Sequence, residues 1–540
     1  MTTDRHPRGV LHRLRAHARG QSGFTMIVAL GVLMVTMLLS LAVFTAVQGD
    51  TSLTRADLDG KRAYAAAQAA VQAYLYQLNA NSSTSQWWET CTNDMSGGTG
   101  AQVPVPGSTT GTTYSYMPVP ISPTYTACST TDPVSSLIDT GSGTLRMRFT
   151  GYSGTQTRSI VAGLKTLSPL SFLWYTHFET EDTSITGLSS GCDRFYWQNP
   201  APPSNCDIYW VTGDVMNGPM YTKDQFLVSP SNAPQFGRQN SNDEIASERG
   251  VAGNSEICAG NDCYSAKVSH PDPDPSPQVE LPTDNANLVT DAQKHGLLVT
   301  GTVTLTVNGN SATGATCLTA ASCTPINITD LTQTPIIYAQ NDPNCPIGYS
   351  PTNITYTKIG GNGTYKNDYY GPCGDIYISG TYSSPLTISA ANDVIVTGNL
   401  TNTTDTNLTG TASPTGSATL GLVANQYVRV MHTCPQNPNV TIDAAILTLS
   451  HSFFVDNYSC TNDPDPQGLL TVHGAIAQYF RGIVGLVGGS GYLKNYAYDQ
   501  RLGIILPPYL FDLQNTEWQV YRESLCNTAV SASNTASCGT

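Results

Sequence analysis

The pattern of apolar and polar residues begins with a long helix. An uncharged apolar run extends from Phe24 to Val47, and as a helix it would be about 36 Å long, enough to cross a bilayer. Between Asp50 and Leu78, apolar residues then recur every three to five positions, which predicts an amphipathic continuation. The predicted apolar face consists of Leu58, Ala63, Ala66, Ala70, Tyr74 and Leu78. We therefore expect one helix over residues 24–79, embedded in a membrane in its first half.

Alternating polar and apolar residues predict β-structure after this helix. The segments Thr144–Phe149 and Thr157–Ala162 alternate in this way and are separated by Gly151 and Gly154, which is typical of a β-hairpin. A helix followed by a small antiparallel sheet is therefore expected over residues 24–166.

Short apolar segments that end in glycine recur beyond residue 167. They are Trp210–Gly213, Leu298–Gly301, Tyr377–Gly380, Ile395–Gly398 and the looser Leu470–Gly474. Gly380 and Gly398 are separated by about 18 residues, the length of one coil of a β-solenoid. Such rungs predict a body like a right-handed parallel β-helix (β-solenoid), and β-sandwich modules are the alternative architecture.

Composition supports a mainly β protein with more than one domain. The chain has 540 residues, of which 12% are charged and 40% are apolar, so it has few charged helical faces but enough apolar surface to fold. Its formal net charge is −14, which is the opposite of the basic footprint of nucleic-acid-binding proteins. We therefore expect no nucleic-acid partner.

The cysteine content indicates an oxidising location outside the cytoplasm. No CxxC motif and no Cys/His spacing typical of a zinc site occurs among the 14 cysteines. Sequence does not determine their connectivity, but bonds between sequential neighbours are the simplest hypothesis. The candidate disulfide residues are Cys91, Cys128, Cys192, Cys206, Cys258, Cys263, Cys317, Cys323, Cys345, Cys373, Cys434, Cys460, Cys526 and Cys538.

The segment before the apolar run is basic. Its arginines are Arg5, Arg8, Arg13, Arg15 and Arg19. By the positive-inside rule, this end stays in the cytoplasm and the body lies outside, as in a single-pass membrane protein. A secretory signal peptide is the alternative, but its apolar core usually spans about 7–15 residues and ends in a small-residue cleavage site.

Two segments resemble type IV prepilins, and in particular the PilX-like minor pilins. They are Gln21–Leu30, which contains the Gly23-Phe24 junction, and the alanine-rich Arg62–Gln72. The resemblance implies cleavage by a prepilin peptidase after Gly23, methylation of the new N-terminal Phe24, and contact with other pilin subunits through the helix. An ordinary signal-anchored protein with a helical stalk is the alternative.

One position departs from the pilin pattern. The fifth mature residue is Glu in most pilins and is Val28 here. That carboxylate is thought to pair with the N-terminal ammonium of a neighbouring subunit in the apolar filament core, where an unpaired charge is costly. Its absence favours a minor pilin, for example at a filament tip, or a protein that stays in the membrane, over a repeating shaft subunit.

Parts of the body carry a second resemblance. Tyr492–Leu502 and Leu506–Tyr509 resemble the closing segment of large pilin-associated surface proteins of unknown function, and Phe172–Glu181 resembles their opening segment. This resemblance implies a β-helix-like body and no known reaction.

No group of residues predicts a catalytic, cofactor or metal site. Asp272, Asp274, Asp463 and Asp465 lie beside prolines, where calcium would find oxygen ligands, but they lack EF-hand spacing and solvated turns are the simpler interpretation. The glycine-rich Gly482–Gly491 lacks the Lys-Ser/Thr of a phosphate loop and predicts a tight turn.

Three further groups allow more than one interpretation. Glu179 and Glu181 share a strand face, either as a glycosidase-type acid pair or as exposed side chains. Arg481, Lys494 and Arg501 lie among aromatic residues, which fits a surface for glycans or subunits, or a structural cap on the solenoid. The scattered histidines match no zinc or hydrolase motif; they include His177, His295, His432, His451 and His473.

Together these patterns predict a non-enzymatic cell-surface component, minor pilin-like or pseudopilin-like, that belongs to a type IV pilus or related filament. Its predicted partners are pilin subunits, the membrane and prepilin peptidase, with surface glycans as a further candidate, and no cofactor is expected. The alternatives are a signal-anchored adhesin or carbohydrate-binding protein outside any filament and, less favoured, a β-helix polysaccharide-active enzyme. The predicted divisions are a basic leader (1–23), the helix (24–79), a small β region (80–166), the solenoid-like body (167–525) and a tail (526–540).

Overall fold

The computed structural model describes most of the chain. The described residues are 24–80, 87–98, 100–108, 111–119, 127–131, 133–139, 144–187, 191–211, 213–228, 234–238, 243–247, 251–252, 267–269, 279–346, 370–405, 408, 416–432, 438–459, 468–486, 490–513 and 517–526. Several predictions fall outside these ranges and stay predictions; they concern the leader with Gly23, the four proline-flanked aspartates, and Cys258, Cys263, Cys434, Cys460 and Cys538.

The described residues are mainly β-strand, preceded by one long helix. The helices are α1 (Phe24–Ala80), α2 (Pro133–Leu137), α3 (Thr183–Thr186), α4 (Ala286–His295) and α5 (Leu510–Leu513). The strands are β1 (Val103–Pro104), β2 (Thr113–Pro118), β3 (Ile138–Asp139), β4 (Thr144–Ser153), β5 (Gln156–Leu167), β6 (Trp174–Glu181), β7 (Val215–Asn217), β8 (Met220–Thr222), β9 (Phe226–Leu227), β10 (Gln235–Phe236), β11 (Glu244–Ser247), β12 (Val251–Ala252), β13 (Lys267–Ser269), β14 (Leu297–Thr300), β15 (Thr302–Gly309), β16 (Ser311–Thr319), β17 (Ser322–Ile328), β18 (Ile336–Gln340), β19 (Ile376–Tyr382), β20 (Leu386–Ala390), β21 (Val394–Asn402), β22 (Leu420–Ala424), β23 (Val428–Val430), β24 (Val440–Thr448), β25 (Phe453–Val455), β26 (Gly468–Arg481), β27 (Tyr492–Tyr498) and β28 (Glu517–Cys526).

A small antiparallel sheet packs against the second half of α1. Its strand order is β1-β2-β4-β5-β28, and β3 pairs with β4. β4 and β5 form the predicted hairpin, with Gly154 in the turn. β28 pairs antiparallel with β5, so the structure places residues 517–526 in this sheet, whereas the sequence analysis assigns residues up to 525 to the body.

The helix approaches this sheet closely because small residues line the contact. Ala63, Ala66 and Ala67 are buried against β4, and a Cβ on Gly151 would collide with the Ala63 carbonyl oxygen. Glycine at position 151 is therefore required by packing, since only a residue without a side chain leaves room for the helix backbone.

The remaining strands form a long parallel ladder. From one end, successive parallel pairs join β14, β18, β20, β22, β24 and β26, and continue through β6, β8, β11 and β13. A second set of parallel pairs joins β15, β19, β21, β23 and β25. The excursion β15-β16-β17 is antiparallel.

Apolar side chains occupy the same register position on consecutive strands of the first set. Ten residues are aligned in this way, and those whose burial is described are buried or half-buried. Stacking like residues on neighbouring strands gives a continuous apolar column, which stabilises the ladder through burial. The column consists of Leu297, Ile337, Ile388, Leu422, Ile446, Ile476, Trp174, Met220, Ile245 and Val268.

The glycine spacing noted in the sequence corresponds to one step of the ladder. Ile376 pairs with Val394 and Tyr377 pairs with Ile395, which is the same offset that separates Gly380 from Gly398. These glycines do not end their strands, however, because β19 continues past Gly380, where φ is 121° and the register shifts. They lie at a register shift within their strands, whereas Gly474 lies inside β26 with unbroken pairing.

One of the predicted glycine-ended strands is wrong. Trp210 forms only an isolated bridge to Val228, and no strand covers the described residues of Trp210–Gly213. Trp210 is fully buried instead, so its apolar character reflects a place in the core rather than a strand.

Disulfides join neighbouring cysteines in the described part of the chain. The bonded couples are Cys91–Cys128, Cys192–Cys206, Cys317–Cys323 and Cys345–Cys373. Cys526 is also disulfide-bonded. Each of the four couples closes a loop within one region of the fold, so the bonds stabilise loops rather than link the small sheet to the body.

Candidate functional site

The N-terminal half of α1 is the most distinctive surface of the molecule. Residues Met26–Thr45 form the one helix in the described chain that is long and apolar enough to cross a membrane, with a mean hydropathy of 2.7. Among the described residues, none of this segment is buried by the rest of the chain, and Met26 and Met37 are 71% and 74% exposed. An apolar surface of this extent is stable only when lipid or other apolar helices cover it.

The few polar groups of this segment are satisfied within the helix. The hydroxyls of Thr36, Ser40 and Thr45 donate to backbone carbonyl oxygens three or four residues earlier, at distances of 3.0, 2.7 and 2.9 Å. Hydroxyls bonded in this way carry little cost in an apolar environment. The segment therefore suits a membrane or an apolar helix bundle along its whole length.

Beyond the apolar segment, α1 is held by the small sheet. The predicted apolar face is buried at Ala63, Ala66, Ala70, Tyr74 and Leu78. The remaining predicted member of that face is Leu58, which is 45% exposed because it precedes the part of the helix that the sheet covers.

The C-terminal strand is tied directly to the helix. Asn79 Oδ1 accepts from the Trp518 backbone N–H at 2.7 Å, and Gln68 Nε2 donates to Glu523 at 2.6 Å. Residues near both ends of the chain therefore meet around the second half of α1.

Two ion pairs and one contact between a carboxylate and a histidine cross the place where the two ends of the body meet. β6, near the start of the body, pairs with β26, near its end. The pairs are Glu179 with Arg481 at 3.1 Å, Asp214 with Lys494 at 2.7 Å, and Asp182 with His451 at 2.7 Å. In all three, the acidic residue comes from the earlier segment and the basic residue from the later one. We call these three pairs the ionic seam.

The predicted acid pair of Glu179 and Glu181 is separated in the structure. Glu179 is fully buried, and its oxygens accept from the indole N–H of Trp174 at 3.2 Å and of Trp210 at 3.1 Å, in addition to Arg481. Glu181 is half-buried, and burial raises its pKa to about 7. Glu179 is thus a structural residue, and the expectation that it is exposed is wrong.

The cations predicted to lie on a binding surface or a cap are interior residues. The Arg481 guanidinium lies 3.9 Å from the Trp210 ring and is 1% exposed. Arg501 is equally buried and pairs with Asp499 at 2.6 Å and with Asp405. These groups hold separate segments together and leave no cationic face for a ligand.

The predicted histidines do not converge on one site. His473 pairs with Asp443 at 2.8 Å, and His177 stacks on Tyr479 with ring centroids 4.4 Å apart. Burial lowers the pKa of His177 to about 4. Within the described ranges, no group of three His, Cys, Asp or Glu residues is arranged to hold a metal ion.

Comparison with known proteins gives only distant similarity to solved structures. No protein-family model and no curated protein matches the chain. Among solved structures, it is similar to the competence-associated pilin ComZ from Thermus thermophilus, with 11% identity over 86% of this chain and 98% of that chain and a TM-score of 0.23. A TM-score this low does not indicate a shared fold, so inferences about this chain depend on its own residues.

Proposed function

We propose that this protein is a pilin-like structural component of the cell surface that is anchored by α1. The observation that carries the proposal is the division of a single helix into an uncharged, fully exposed apolar half and a half packed on an antiparallel sheet. Such a helix holds a folded domain at a fixed distance from a membrane or a bundle of similar helices.

Processing and orientation follow from the sequence before the helix. The arginine-rich leader stays in the cytoplasm, a prepilin peptidase cleaves after Gly23, and Phe24 becomes the methylated N-terminus. The disulfides among the described residues support exposure of the body to an oxidising compartment.

The proposed role is that of a minor subunit rather than a repeating shaft subunit. The described side chains of the apolar half include no carboxylate, and Val28 is 48% exposed where most pilins have Glu. Without that carboxylate, the N-terminal ammonium of a neighbouring subunit has no partner in the apolar core, which disfavours repeated stacking.

We further propose that the body is a parallel β-helix. Its support is the constant parallel pairing of the ladder and the apolar column at one register position, because a coil that returns to the same register places like residues above one another. A structural rather than a catalytic role fits a body in which several buried charged groups pair with one another.

N-terminal mass spectrometry of the protein from membranes and from sheared surface material tests this function. The expected result is a chain that begins at methylated Phe24 in both fractions. A chain that retains residues 1–23 and occurs only in the membrane would contradict it and would favour a signal-anchored adhesin. A Gly23→Leu variant is the control, since it should block cleavage and remain in the membrane fraction.

A further inference from the structure

A disulfide-closed loop presents aromatic rings on the outside of the body. Cys192 and Cys206 close the loop, and both are fully buried. Within it, Trp197 is 38% exposed, and just after it Tyr209 is 41% exposed. Large aromatic surfaces left open on a rigid loop are typical of recognition sites.

Trp197 is held in place by rings beneath it. Its ring stacks on Phe195 with centroids 4.9 Å apart and an interplanar angle of 7°. Phe195 in turn lies 4.6 Å from Phe178 on β6. One face of the indole is therefore covered while the ring remains partly open to solvent, and little side-chain entropy would be lost on binding.

A carboxylate fixes the second ring. Asp207 accepts hydrogen bonds from the hydroxyl of Tyr196 at 2.9 Å and from that of Tyr209 at 3.1 Å. Because Tyr196 neighbours Trp197 in sequence, this carboxylate ties the two exposed aromatic residues to one rigid loop.

A second carboxylate, that of Glu181, lies beside the loop. Asp207 forms a bridge to Thr180, which places it next to Glu181. Glu181 is half-buried, its side chain forms no hydrogen bond with a described residue, and its charge interacts with that of Asp207. A half-buried acceptor of this kind is suited to a ligand that brings hydroxyl donors.

We propose that Trp197, Tyr209, Asp207 and Glu181, here named the aromatic surface, bind a neutral oligosaccharide. A pyranose ring has an apolar C–H face that packs on an indole or phenol ring, and a rim of hydroxyls that donate to carboxylates. The two carboxylates and the chain's net charge of −14 oppose polyanionic glycans, because like charges at a desolvated surface are destabilising.

The test uses the full chain purified in detergent on a printed array of neutral and polyanionic oligosaccharides, followed by calorimetry with the strongest neutral binder. We expect Trp197→Ala and Glu181→Gln each to weaken binding by about tenfold or more, a change worth ~1.4 kcal/mol. Tyr521→Ala is the matched control, since Tyr521 is an aromatic residue of similar exposure, 47%, on β28 of the small sheet, and should leave binding unchanged.

Three results would overturn the proposal. They are the absence of neutral glycan binding on the array, stronger binding of a polyanion such as heparin, and a Trp197→Ala variant that binds as tightly as the wild type. Thermal unfolding of each variant separates loss of binding from loss of fold, and Glu181→Gln, which conserves volume, provides a second readout if Trp197→Ala is unstable.

Discussion

Two buried carboxylates, those of Glu179 and Asp94, differ in how fully hydrogen bonds and countercharges compensate them. Glu179 is saturated with hydrogen bonds and paired with Arg481. Asp94, next to α1, is fully buried, and neither of its carboxylate oxygens has a hydrogen-bond partner among the described residues. A buried carboxylate that lacks partners is costly when ionised, so Asp94 is expected to weaken the fold at neutral pH.

Asp94→Asn should therefore change how stability depends on pH. Burial raises the pKa of Asp94 to about 7, so between its unfolded pKa near 4 and this value the folded state holds a proton that the unfolded state has lost. The contribution of Asp94 to the unfolding free energy of the wild type therefore falls as pH rises from about 4 to about 7. The variant, which cannot titrate there, should match the wild type at pH 4 and exceed it at pH 8 in urea unfolding.

A matched measurement on an exposed acid serves as the control for Asp94. Asp57 is 66% exposed and pairs with Lys61 on the surface of α1, so Asp57→Asn should shift the urea midpoint little at either pH. Equal pH dependence in Asp94→Asn and wild type would show that the Asp94 carboxyl ionises as readily in the folded as in the unfolded protein.

At the scale of elements, α1 illustrates how far local pattern determines structure. The helix extends from Phe24 to Ala80, close to the predicted 24–79, because apolar periodicity and helix-forming residues act within the segment itself. The hairpin of β4 and β5 is predicted for the same reason. The pairing of β28 with β5 is not predictable in this way, because the two strands are separated by most of the chain and no local pattern identifies the partner.

The close contact of α1 with β4 depends on one glycine. In Gly151→Ala the new methyl group would meet the backbone at Ala63 and Ala67, and neither can move without shifting the helix. We expect a loss of about 1–3 kcal/mol in unfolding free energy, as for other overpacked sites. Gly107→Ala provides a control, because no atom lies within 4 Å of a Cβ there; its positive φ of 76° should limit the cost to about 1 kcal/mol. A Gly151→Ala variant no less stable than Gly107→Ala would contradict the packing argument.

At the scale of the whole molecule, the chain enters the ladder in its middle. β6 pairs with β8 on one side and with β26, almost 300 residues later, on the other. Tyr175 donates to the Val279 carbonyl oxygen at 2.8 Å, and Asn285 donates to the Ala390 carbonyl oxygen at 2.8 Å. The segment from Val279 to Asn285 therefore crosses the ladder from β6 to β20. The strands that follow β20 in the chain then add in the direction of β6 until β26 pairs with it.

The ionic seam fits this route. The edge of β6 is formed early in synthesis and stays open until β26 is made. Acidic residues near an open edge disfavour pairing with the same edge of another copy, because like charges repel. The basic residues of the later segment then supply their countercharges. We therefore expect the seam to favour correct closure of the body over association between copies.

A double-mutant cycle on Asp214 and Lys494 tests the seam. Either Asp214→Asn or Lys494→Met alone leaves a buried partner unpaired and should cost about 3–5 kcal/mol. The double variant should cost less than the sum of the two, with a coupling of about 1–3 kcal/mol, measured by urea unfolding. Additive effects would show that the pair contributes no specific energy to closure. Pairing Asp57→Asn with Lys61→Met on the exposed surface of α1 is the control, and it should show no measurable coupling because solvent screens this pair.

The sequence alone determined the anchor helix, the hairpin and the alternation of short apolar segments, since each depends on residues within one or two turns or strands of each other. The candidate site residues were less predictable. Glu179 and Arg481 are recognisable as charges near aromatics, yet only the tertiary structure shows that each is the other's buried partner. The aromatic surface was not predicted as a unit, although Trp197 and the Cys192–Cys206 couple are visible in the sequence.

Tertiary structure decided the partners of β6 and β28, the ionic seam and the position of the aromatic surface. The strand partners and the seam join residues separated by long stretches of chain, and such contacts depend on which segments fold back together rather than on local propensity. The sequence specifies which residues seek burial or a countercharge, and only the completed fold brings each of them to its partner.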